Sequence, residues 1–187
     1  GSWTKDQVYK KAAGLNLHYS DKESQDVCFL HQGLSAFWAE HGLEEQPGPI
    51  VTMDGRHIGQ HRGVWHYTVG QRRGLGLPDT TPWYVVRLDK QQNRIVVGKQ
   101  DDLFTGRCTL RALRWTHEPP SLPWRGLVQL RSRHIPAPAE LTASGTESWS
   151  LTFATPQRAV TPGQFAVLYS DNRVIGSAVI DRNDGEI

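Results

Sequence analysis

The sequence has 187 residues and a formal net charge of +2, which suits one or two globular domains with cores of their own. It shows no signal peptide and no apolar run near the roughly 18 residues that a membrane-spanning helix needs. Its 2 cysteines, Cys28 and Cys108, are too few and too far apart for a disulfide framework or a zinc site, so we expect a cytoplasmic protein.

Two helices are predicted near the start of the chain. The first is "TKDQVYKKAAG", residues 4–14, where Thr4 can act as the N-cap and Gly14 can end the helix. The second is "GLSAFWAEHGL", residues 33–43, which carries apolar side chains on one face. The turn-rich segment "EEQPGPI" then follows at residues 44–50 and marks the first domain boundary.

From Ile50 onward the pattern changes to short β-type runs. Asp54-Gly55 is a strong hairpin signal between two such runs, and a polar turn separates the runs Trp83–Leu88 and Arg94–Val97. Short strands at regular spacing, separated by Gly and Pro, are typical of β-barrels or sandwiches. We therefore predict a mainly β protein with a short α-helical N-terminal part, divided into residues 1–47, 48–103 and 104–187.

The middle of the chain is basic. Residues 54–133 carry 14 basic and 6 acidic side chains, and 12 of the cations are arginines. The planar guanidinium group of arginine can donate two hydrogen bonds at once to a phosphate. A solvated barrel surface has the same composition, so charge alone leaves nucleic-acid or phosphate contact as one of two interpretations.

The segment "GQRRGLGLP", residues 70–78, is the most distinctive part of this basic block. Glycines let backbone N–H groups approach an anion, and Arg72 and Arg73 could neutralise it. The alternative is a tight turn whose arginines point into water. No phosphate-binding G-x-x-x-x-G-K-[ST] loop and no dinucleotide-binding fingerprint occur in the chain, so the search for a nucleotide site is negative.

The histidines do not predict a metal site. His57, His61 and His66 lie within ten residues of one another, but on a strand His66 would face away from the other two. No cysteine joins them at the spacing of a zinc site. The 7 tryptophans could stack on unpaired bases, but tryptophan commonly fills protein cores, so we assign none of them to RNA.

Cys28, in "SQDVCFL", is ambiguous from its local sequence. A thiolate can act as a nucleophile and can accept a sulfur atom. However, no Lys or Arg stands within five residues to lower the pKa of this thiol, and its neighbours Val27, Phe29 and Leu30 are apolar, which favours a packed cysteine. Cys108, in "GRCTLRAL", shows no sign of catalysis either.

Three long segments resemble bacterial tRNA-specific 2-thiouridylases. The segment "KESQDVCFL" is similar to the surroundings of the second catalytic cysteine in that family. Two more are similar to its central and C-terminal signatures, namely "PGPIVTMDGRHIGQHRGVWHYTVGQRRGLGLP" and "AVTPGQFAVLY" followed by "VIGSAVI". The similarity runs in order from about Thr4 to Ile180. It implies a small central β domain followed by a C-terminal six-stranded β-barrel.

The resemblance implies an enzyme that replaces the C2 oxygen of the wobble uridine in certain tRNAs with sulfur. In that family ATP, with Mg, activates the oxygen, and a persulfide delivers the sulfur. Cys28 matches the cysteine that accepts sulfur from a donor protein, either a cysteine desulfurase or a relay protein. The family's S-G-G-x-D-S loop is absent here, and Gly1-Ser2 resembles a cloning remnant. We therefore expect a cut piece of a longer enzyme that binds no ATP and is inactive alone.

The resemblance also implies tRNA contacts in the C-terminal barrel. Carried over by matching positions, these fall on Arg131, Ser132 and Gln164. We add Arg133, because on a strand it would share a face with Arg131. From charge we add the pair Arg72-Arg73 as contacts to the RNA backbone. At Ser132 the chain departs from the family, which usually has a tyrosine there.

A second interpretation belongs to a different functional class. The chain could be a non-catalytic β-barrel RNA-binding module in which Cys28 is only packed. The two interpretations differ in whether Cys28 takes up sulfur, while both expect binding to tRNA.

Overall fold

The computed structural model describes residues 3–17, 40–42, 45–78 and 80–183. The chain divides into two compact units, residues 1–44 and 45–187. The first unit contains helix α1 (Lys5–Gly14), and the second contains every strand found in the described part of the chain. The domain limits predicted after residues 47 and 103 stay predictions.

Helix α1 confirms the first predicted helix. The Thr4 hydroxyl accepts a hydrogen bond from the Gln7 backbone N–H at 3.4 Å, and the Gln7 side chain accepts one from the Thr4 N–H at 2.9 Å. This reciprocal capping box satisfies two N–H groups that the first helical turn leaves without partners. The second predicted helix, residues 33–43, lies mostly outside the described residues. Among those that are described, no helix has the length and apolar character needed to cross a membrane.

A four-stranded sheet opens the second unit. Its order is β2-β1-β4-β3, with β1 parallel to β4 and the other pairs antiparallel. The Asp54-Gly55 hairpin is confirmed between the first two strands, where Gly55 has a φ of 84°. Ile50, Val85 and Ile95 are fully buried in the core of this sheet. The strands are β1 (Gly48–Thr52), β2 (His57–His61), β3 (Tyr84–Asp89) and β4 (Arg94–Gly98).

Six further strands close into a barrel of order β10-β5-β8-β7-β6-β9. Their inward side chains form one core, in which Leu110, Leu141 and Ile180 are fully buried. The predicted fold class, mainly β with a six-stranded C-terminal barrel, is confirmed. The strands are β5 (Phe104–Trp115), β6 (Trp124–Gln129), β7 (Ala137–Ala143), β8 (Ser148–Arg158), β9 (Phe165–Ser170) and β10 (Arg173–Asn183).

Gly70 joins the small sheet to the barrel. Its N–H donates to the Val85 carbonyl at 2.7 Å, and the Val85 N–H donates in return to the Gln71 carbonyl at 2.9 Å. Gly70 has a φ of 86°, and a Cβ built on it would lie 3.0 Å from the Ala159 Cβ of the barrel. Ala159 cannot move away easily, because its N–H donates to the Leu103 carbonyl at 2.8 Å. The junction therefore requires glycine for both its backbone angle and its lack of a side chain.

His61 ends strand β2 and is buried, with 2% of its surface exposed. The Gly63 N–H donates to its Nδ1 at 3.0 Å, so Nδ1 is an acceptor and the ring proton is on Nε2. That nitrogen lies 3.0 Å from the Asn93 carbonyl oxygen, to which it donates. Burial lowers the pKa of His61 and outweighs the raising effect of the Asn93 hydrogen bond. One ring nitrogen therefore binds the segment that follows β2, and the other binds the turn between β3 and β4.

We expect Gly70→Ala to lower the free energy of unfolding by about 2–4 kcal/mol. A left-handed φ costs a residue with a Cβ about 1–2 kcal/mol, and crowding against a fixed neighbour adds a similar amount. Chemical denaturation of the purified chain measures this loss.

Two other glycines separate the contributions to that loss. Gly55 has a similar φ of 84° but open space at its Cβ position, so Gly55→Ala should cost only the backbone part. Gly106 has open space and no positive φ, so Gly106→Ala should change stability by less than about 0.5 kcal/mol. Equal losses for Gly70→Ala and Gly55→Ala would show that the contact with Ala159 does not matter.

We expect His61 to make the protein less stable as the pH falls below the ordinary histidine pKa of about 6.5. The unfolded chain takes up a proton there, while the folded chain, in which the pKa is lowered, does not. The free energy of unfolding should then fall by up to about 1.4 kcal/mol per pH unit, until the folded pKa is reached. Denaturation of His61→Gln should show a shallower pH dependence than that of the unchanged chain. An unchanged slope in His61→Gln would exclude this residue as the cause.

Candidate nucleic-acid interface

Three of the predicted contact residues lie in one pocket at an end of the barrel. Arg131, Ser132 and Gln164 line a cavity of about 440 Å³, although 32 residues of sequence separate Ser132 from Gln164. A volume of this size lies within the range of about 300–1,000 Å³ that small-ligand clefts occupy. The remaining lining residues are Gln129, Leu130, Gly163, Phe165 and Val167. We refer to this cavity as the β6–β9 pocket.

Strand register brings the two sides of the β6–β9 pocket together. Strands β6 and β9 are antiparallel, with Gln129 opposite Val167. Arg131 follows Gln129 by two residues, and Phe165 precedes Val167 by two, so both reach the same end of the strand pair. The residues between them, Leu130 and Ala166, are buried in the barrel interior. Alternation along β9 therefore directs Phe165 to the outer surface, and Arg131, which follows the end of β6, is exposed as well.

The segment after β6 is a turn that polar side chains fix in place. The His134 N–H donates to the Arg131 carbonyl at 2.9 Å. The Gln129 amide group donates to the Ser132 carbonyl at 3.3 Å and to the His134 carbonyl at 2.9 Å. The Tyr169 hydroxyl in turn donates to the Gln129 side-chain oxygen at 3.0 Å. The backbone that carries the predicted contacts is thus held by neutral hydrogen bonds.

The imidazole ring of His134 also forms hydrogen bonds that hold this turn. Its Nδ1 accepts a hydrogen bond from the Leu130 N–H at 3.3 Å, and its Nε2 lies 2.9 Å from the Gln157 side-chain oxygen. Since the Leu130 N–H is used in this way, the β6 ladder ends at Gln129. The prediction that Arg131 and Arg133 alternate along a strand was therefore wrong. Arg133 is an exposed residue of the turn, and it does not line the β6–β9 pocket.

The opposite wall of the pocket is a tight turn. The Gln164 N–H donates to the Thr161 carbonyl at 3.2 Å, with Pro162 and Gly163 between them and a φ of 86° at Gly163. Proline followed by a glycine with positive φ is the combination that a type II turn requires. The Gln164 carbonyl accepts a further hydrogen bond from the Ile180 N–H at 2.8 Å. Both backbone groups of Gln164 are therefore fixed, and its half-buried side chain faces the pocket.

The arginines of the turn differ electrostatically from others in the barrel. Arg111 pairs with Asp181 at 3.3 Å, and Arg125 pairs with Glu140 at 2.5 Å. Arg131 and Arg133 are exposed and have no carboxylate partner among the described residues. Their charges remain available to an anion from solution.

A larger pocket of about 670 Å³ lies on the barrel, but none of the predicted site residues lines it. It contains the paired Arg125 and Glu140 together with the apolar side chains of Leu127 and Phe153. Because its arginine is already neutralised, its size does not make it the better candidate for binding a polyanion.

Arg72 and Arg73 lie in a separate loop of the small sheet. Gln71 organises this loop: its side-chain oxygen accepts from the Thr68 N–H at 3.0 Å, and its amide group donates to the Arg73 carbonyl at 2.9 Å. Both arginines are exposed, and Arg72 lines a pocket of about 350 Å³ together with Trp83. Their place in the loop fits the predicted contact with an RNA backbone, which stays a prediction.

The structure describes only one of the two cysteines. Cys28 lies outside the described residues, so its predicted role stays a prediction. Cys108 is 1% exposed in the barrel core, among other apolar side chains. Among the residues with described positions, no group of three or more His, Cys, Asp or Glu side chains could bind a metal ion.

The turn between β7 and β8 does not fit a phosphate-binding loop. The glycine-containing segment "ASGTES", residues 143–148, is the turn between β7 and β8, where the Ser144 N–H donates to the Ser148 carbonyl at 3.0 Å. A phosphate loop needs a helix after its glycines, so that N–H groups converge on the anion. A strand follows here instead, and we assign no step through ATP to these residues.

Sequence reasoning missed Phe165, Gln129 and His134. The alternation in "FAVLYS", residues 165–170, could have predicted that Phe165 faces outward, because Ala166 and Leu168 on the other face of the strand are buried. No comparable signal marked His134, whose role depends on hydrogen bonds to residues brought close by the fold.

Comparisons with known proteins agree with this architecture. A family model described as the tRNA methyl transferase PRC-barrel domain matches residues 35–99. Another, described as the aminomethyltransferase beta-barrel domain, matches residues 105–180. The two matches fall on the segment containing the small sheet and on the barrel.

Curated relatives match along almost the whole chain. The tRNA-specific 2-thiouridylase MnmA of Chloroflexus aggregans is 42% identical over 188 residues, covering 97% of this chain and 52% of the relative. The proteins of the same name from Synechococcus sp. strain JA-3-3Ab and Chloroflexus aurantiacus are 40% and 41% identical, each over 97% of this chain and about half of their own length. The chain thus spans about half the length of the relatives that it matches, and with them it belongs to the family of tRNA-specific 2-thiouridylases, as their central and C-terminal part.

Proposed function

We propose that this chain is the sulfur-accepting and tRNA-binding part of an enzyme that thiolates the wobble uridine of tRNA at C2. The identity of about 40% along 97% of the chain to proteins named tRNA-specific 2-thiouridylase carries this proposal. We propose the cytoplasm as its location, because tRNA is the substrate.

The RNA-binding half of the proposal rests on charge and position. The exposed guanidinium group of Arg131 has no ion-pair partner in the described part of the chain, and Arg131 lines the same pocket as Ser132 and Gln164. Guanidinium groups bind phosphates, and hydroxyl and amide groups hydrogen-bond to phosphate, sugar or base edges. In this proposal Arg133 and the pair Arg72-Arg73 contribute further phosphate contacts. The RNA would then extend beyond the β6–β9 pocket.

The catalytic half of the proposal assigns sulfur transfer to Cys28. Its thiolate attacks the outer sulfur of a persulfide on a donor protein, which is a cysteine desulfurase or a relay protein. A new S–S bond forms on Cys28, the donor's S–S bond breaks, and the donor leaves as a thiolate with the bonding electron pair. Cys28 thereby becomes a persulfide, whose outer sulfur is the atom destined for the uridine. ATP and Mg serve the parent enzyme in this proposal, so the present chain alone should not thiolate tRNA.

We expect Arg131→Gln to weaken the binding of tRNA and to reduce its salt dependence. Each phosphate contact contributes about 0.7–0.9 to the slope of log affinity against log salt concentration, so the slope should fall by about that amount. Titration of the 187-residue chain with a transcribed tRNA at several salt concentrations measures both quantities.

Arg111→Gln is the matched control for this measurement. It removes the same charge from β5, whose guanidinium group is already paired with Asp181. Strand β5 has two strands between it and β6 in either direction around the barrel. The Arg111→Gln chain should bind tRNA with an affinity and a salt slope near those of the unchanged chain. Equal effects of the two substitutions would mean that net charge, and not the β6–β9 pocket, determines binding.

We expect Cys28 to gain one sulfur atom when the chain is incubated with a cysteine desulfurase and free cysteine. Cys108 is the internal control, because its 1% exposure in the barrel core keeps it from a donor protein. Peptide mass spectrometry should locate the added sulfur on Cys28, and Cys28→Ser should abolish it without changing tRNA affinity.

Two results would contradict the catalytic assignment. The first is sulfur on Cys108 and none on Cys28. The second is tRNA binding with no sulfur uptake at all, which would leave the non-catalytic RNA-binding module as the correct interpretation.

A further inference from the structure

Phe165 is an exposed aromatic residue that the proposed contacts do not explain. It is the first residue of β9, and 60% of its surface is exposed. It follows Gln164 directly and lines the β6–β9 pocket with Arg131. Among the described residues that line this pocket, Phe165 is the one aromatic side chain. A large apolar surface left in water beside uncompensated cations suggests a ligand with an apolar face and a negative charge.

The backbone of Phe165 is fixed before any ligand arrives. Phe165 pairs with Val179 of β10, so the strand ladder sets the direction of its side chain. The residue before it has both backbone groups hydrogen-bonded, to Thr161 and Ile180. The backbone that carries this ring therefore loses little conformational freedom when a flat partner stacks on it.

The charge next to the ring indicates which kind of planar group would bind to Phe165. Arg131 reaches the same end of the strand pair, and no carboxylate neutralises it in the described structure. An unpaired nucleotide carries a planar base and a phosphate on either side of its sugar, so it offers a partner to both residues. An apolar peptide would cover the ring but leave the guanidinium group beside it without an anion. The combination favours single-stranded RNA over a protein segment.

We propose that Phe165 stacks on an unpaired base of the RNA while Arg131 binds a phosphate next to that base. This inference rests on the proposed binding of tRNA and names the part of the RNA that occupies the β6–β9 pocket. Since the stack uses the face of a base, the pocket prefers loops or ends of RNA to a continuous duplex. It tolerates different bases, because every base presents a π-face.

The test compares two RNA probes and two substitutions of Phe165. The probes are a transcribed tRNA and a blunt, fully paired RNA duplex of similar length. Phe165→Leu removes the aromatic face and retains apolar volume, whereas Phe165→Tyr retains the ring. Phe165→Leu should bind tRNA about 5- to 100-fold more weakly, as expected for the loss of one base–aromatic stack. Its salt slope and its affinity for the duplex should be unchanged, and Phe165→Tyr should bind both probes within about twofold of the original chain.

Phe104→Leu is the matched control. Phe104 is also the first residue of its strand and is 45% exposed, but it lies on β5 and away from the β6–β9 pocket. This substitution should leave tRNA affinity unchanged. Thermal unfolding of each variant verifies that the barrel remains folded. If Phe165→Leu is unstable, Phe165→Met removes the ring in the same comparison with a more adaptable apolar side chain and should show the same loss of tRNA affinity.

The outcomes distinguish this inference from the proposed function. If Arg131→Gln weakens tRNA binding and Phe165→Leu does not, the stacking role is wrong and the RNA-binding role stands. If Phe165→Leu weakens binding to tRNA and duplex equally, the ring supports the surface and does not stack on a base, which also overturns the inference. If the unchanged chain binds no tRNA, the proposed function fails and the inference fails with it.

Discussion

The close approach of Gly70 to Ala159 is the constraint that relates the small sheet to the barrel. A Cβ on Gly70 would lie 3.0 Å from the Ala159 Cβ, so the two backbones meet with no side chain between them. Ala159 is itself anchored, because its N–H donates to Leu103 and its carbonyl accepts from the Thr161 hydroxyl at 3.0 Å. One contact therefore fixes the start of the Arg72-Arg73 loop and the start of the turn that carries Gln164. Two segments that carry predicted contact residues therefore begin close together in the fold, although they are distant in sequence.

The side chains that shape the β6–β9 pocket include no carboxylate, and its arginine has no ion-pair partner among the residues that the structure describes. Gln129, His134 and Tyr169 supply the hydrogen bonds of the turn, at distances of 2.9–3.3 Å. A carboxylate in any of these positions would have attracted Arg131 and reduced its affinity for an anion. Among the described residues, three barrel arginines do have such partners: Arg125 pairs with Glu140, and Arg111 and Arg182 pair with Asp181. The basic block of residues 54–133 is thus divided between arginines paired within the fold and arginines available for a partner, a division that the net charge does not reveal.

Local features of the sequence predicted local features of the structure well. The N-cap at Thr4 and the Asp54-Gly55 turn involve residues within a few positions of one another, so their hydrogen bonds follow from residue type and spacing. The pocket does not follow in this way, because Arg131 and Phe165 meet only through the pairing of β6 with β9. Charge and resemblance indicated Arg131 and Gln164, but neither could indicate that they share a cavity.

The error concerning Arg133 has a definite physical origin. Alternation along a strand holds only while the backbone ladder continues, and here the Leu130 N–H bonds to the His134 ring instead of to a neighbouring strand. The side chain of His134, four residues after Leu130, thus ends the strand. No periodicity in the sequence predicts this. Cys28 lies outside the described residues, so the structure offers no observation against which its predicted role could be compared.

In the proposed binding mode, two physically different contributions meet in the β6–β9 pocket. A phosphate contact of Arg131 would derive its free energy from the release of counterions and would therefore weaken with salt. A base stacked on Phe165 derives its free energy from contact area and dispersion, which salt affects little. Strand pairing fixes the backbone of Phe165, and turn hydrogen bonds fix the backbone of Arg131. Binding therefore needs little further ordering of the backbone. A surface with this combination can bind RNA of varied sequence and still favour unpaired nucleotides, because charge supplies affinity for any backbone and the exposed ring adds affinity only where a base is free to stack.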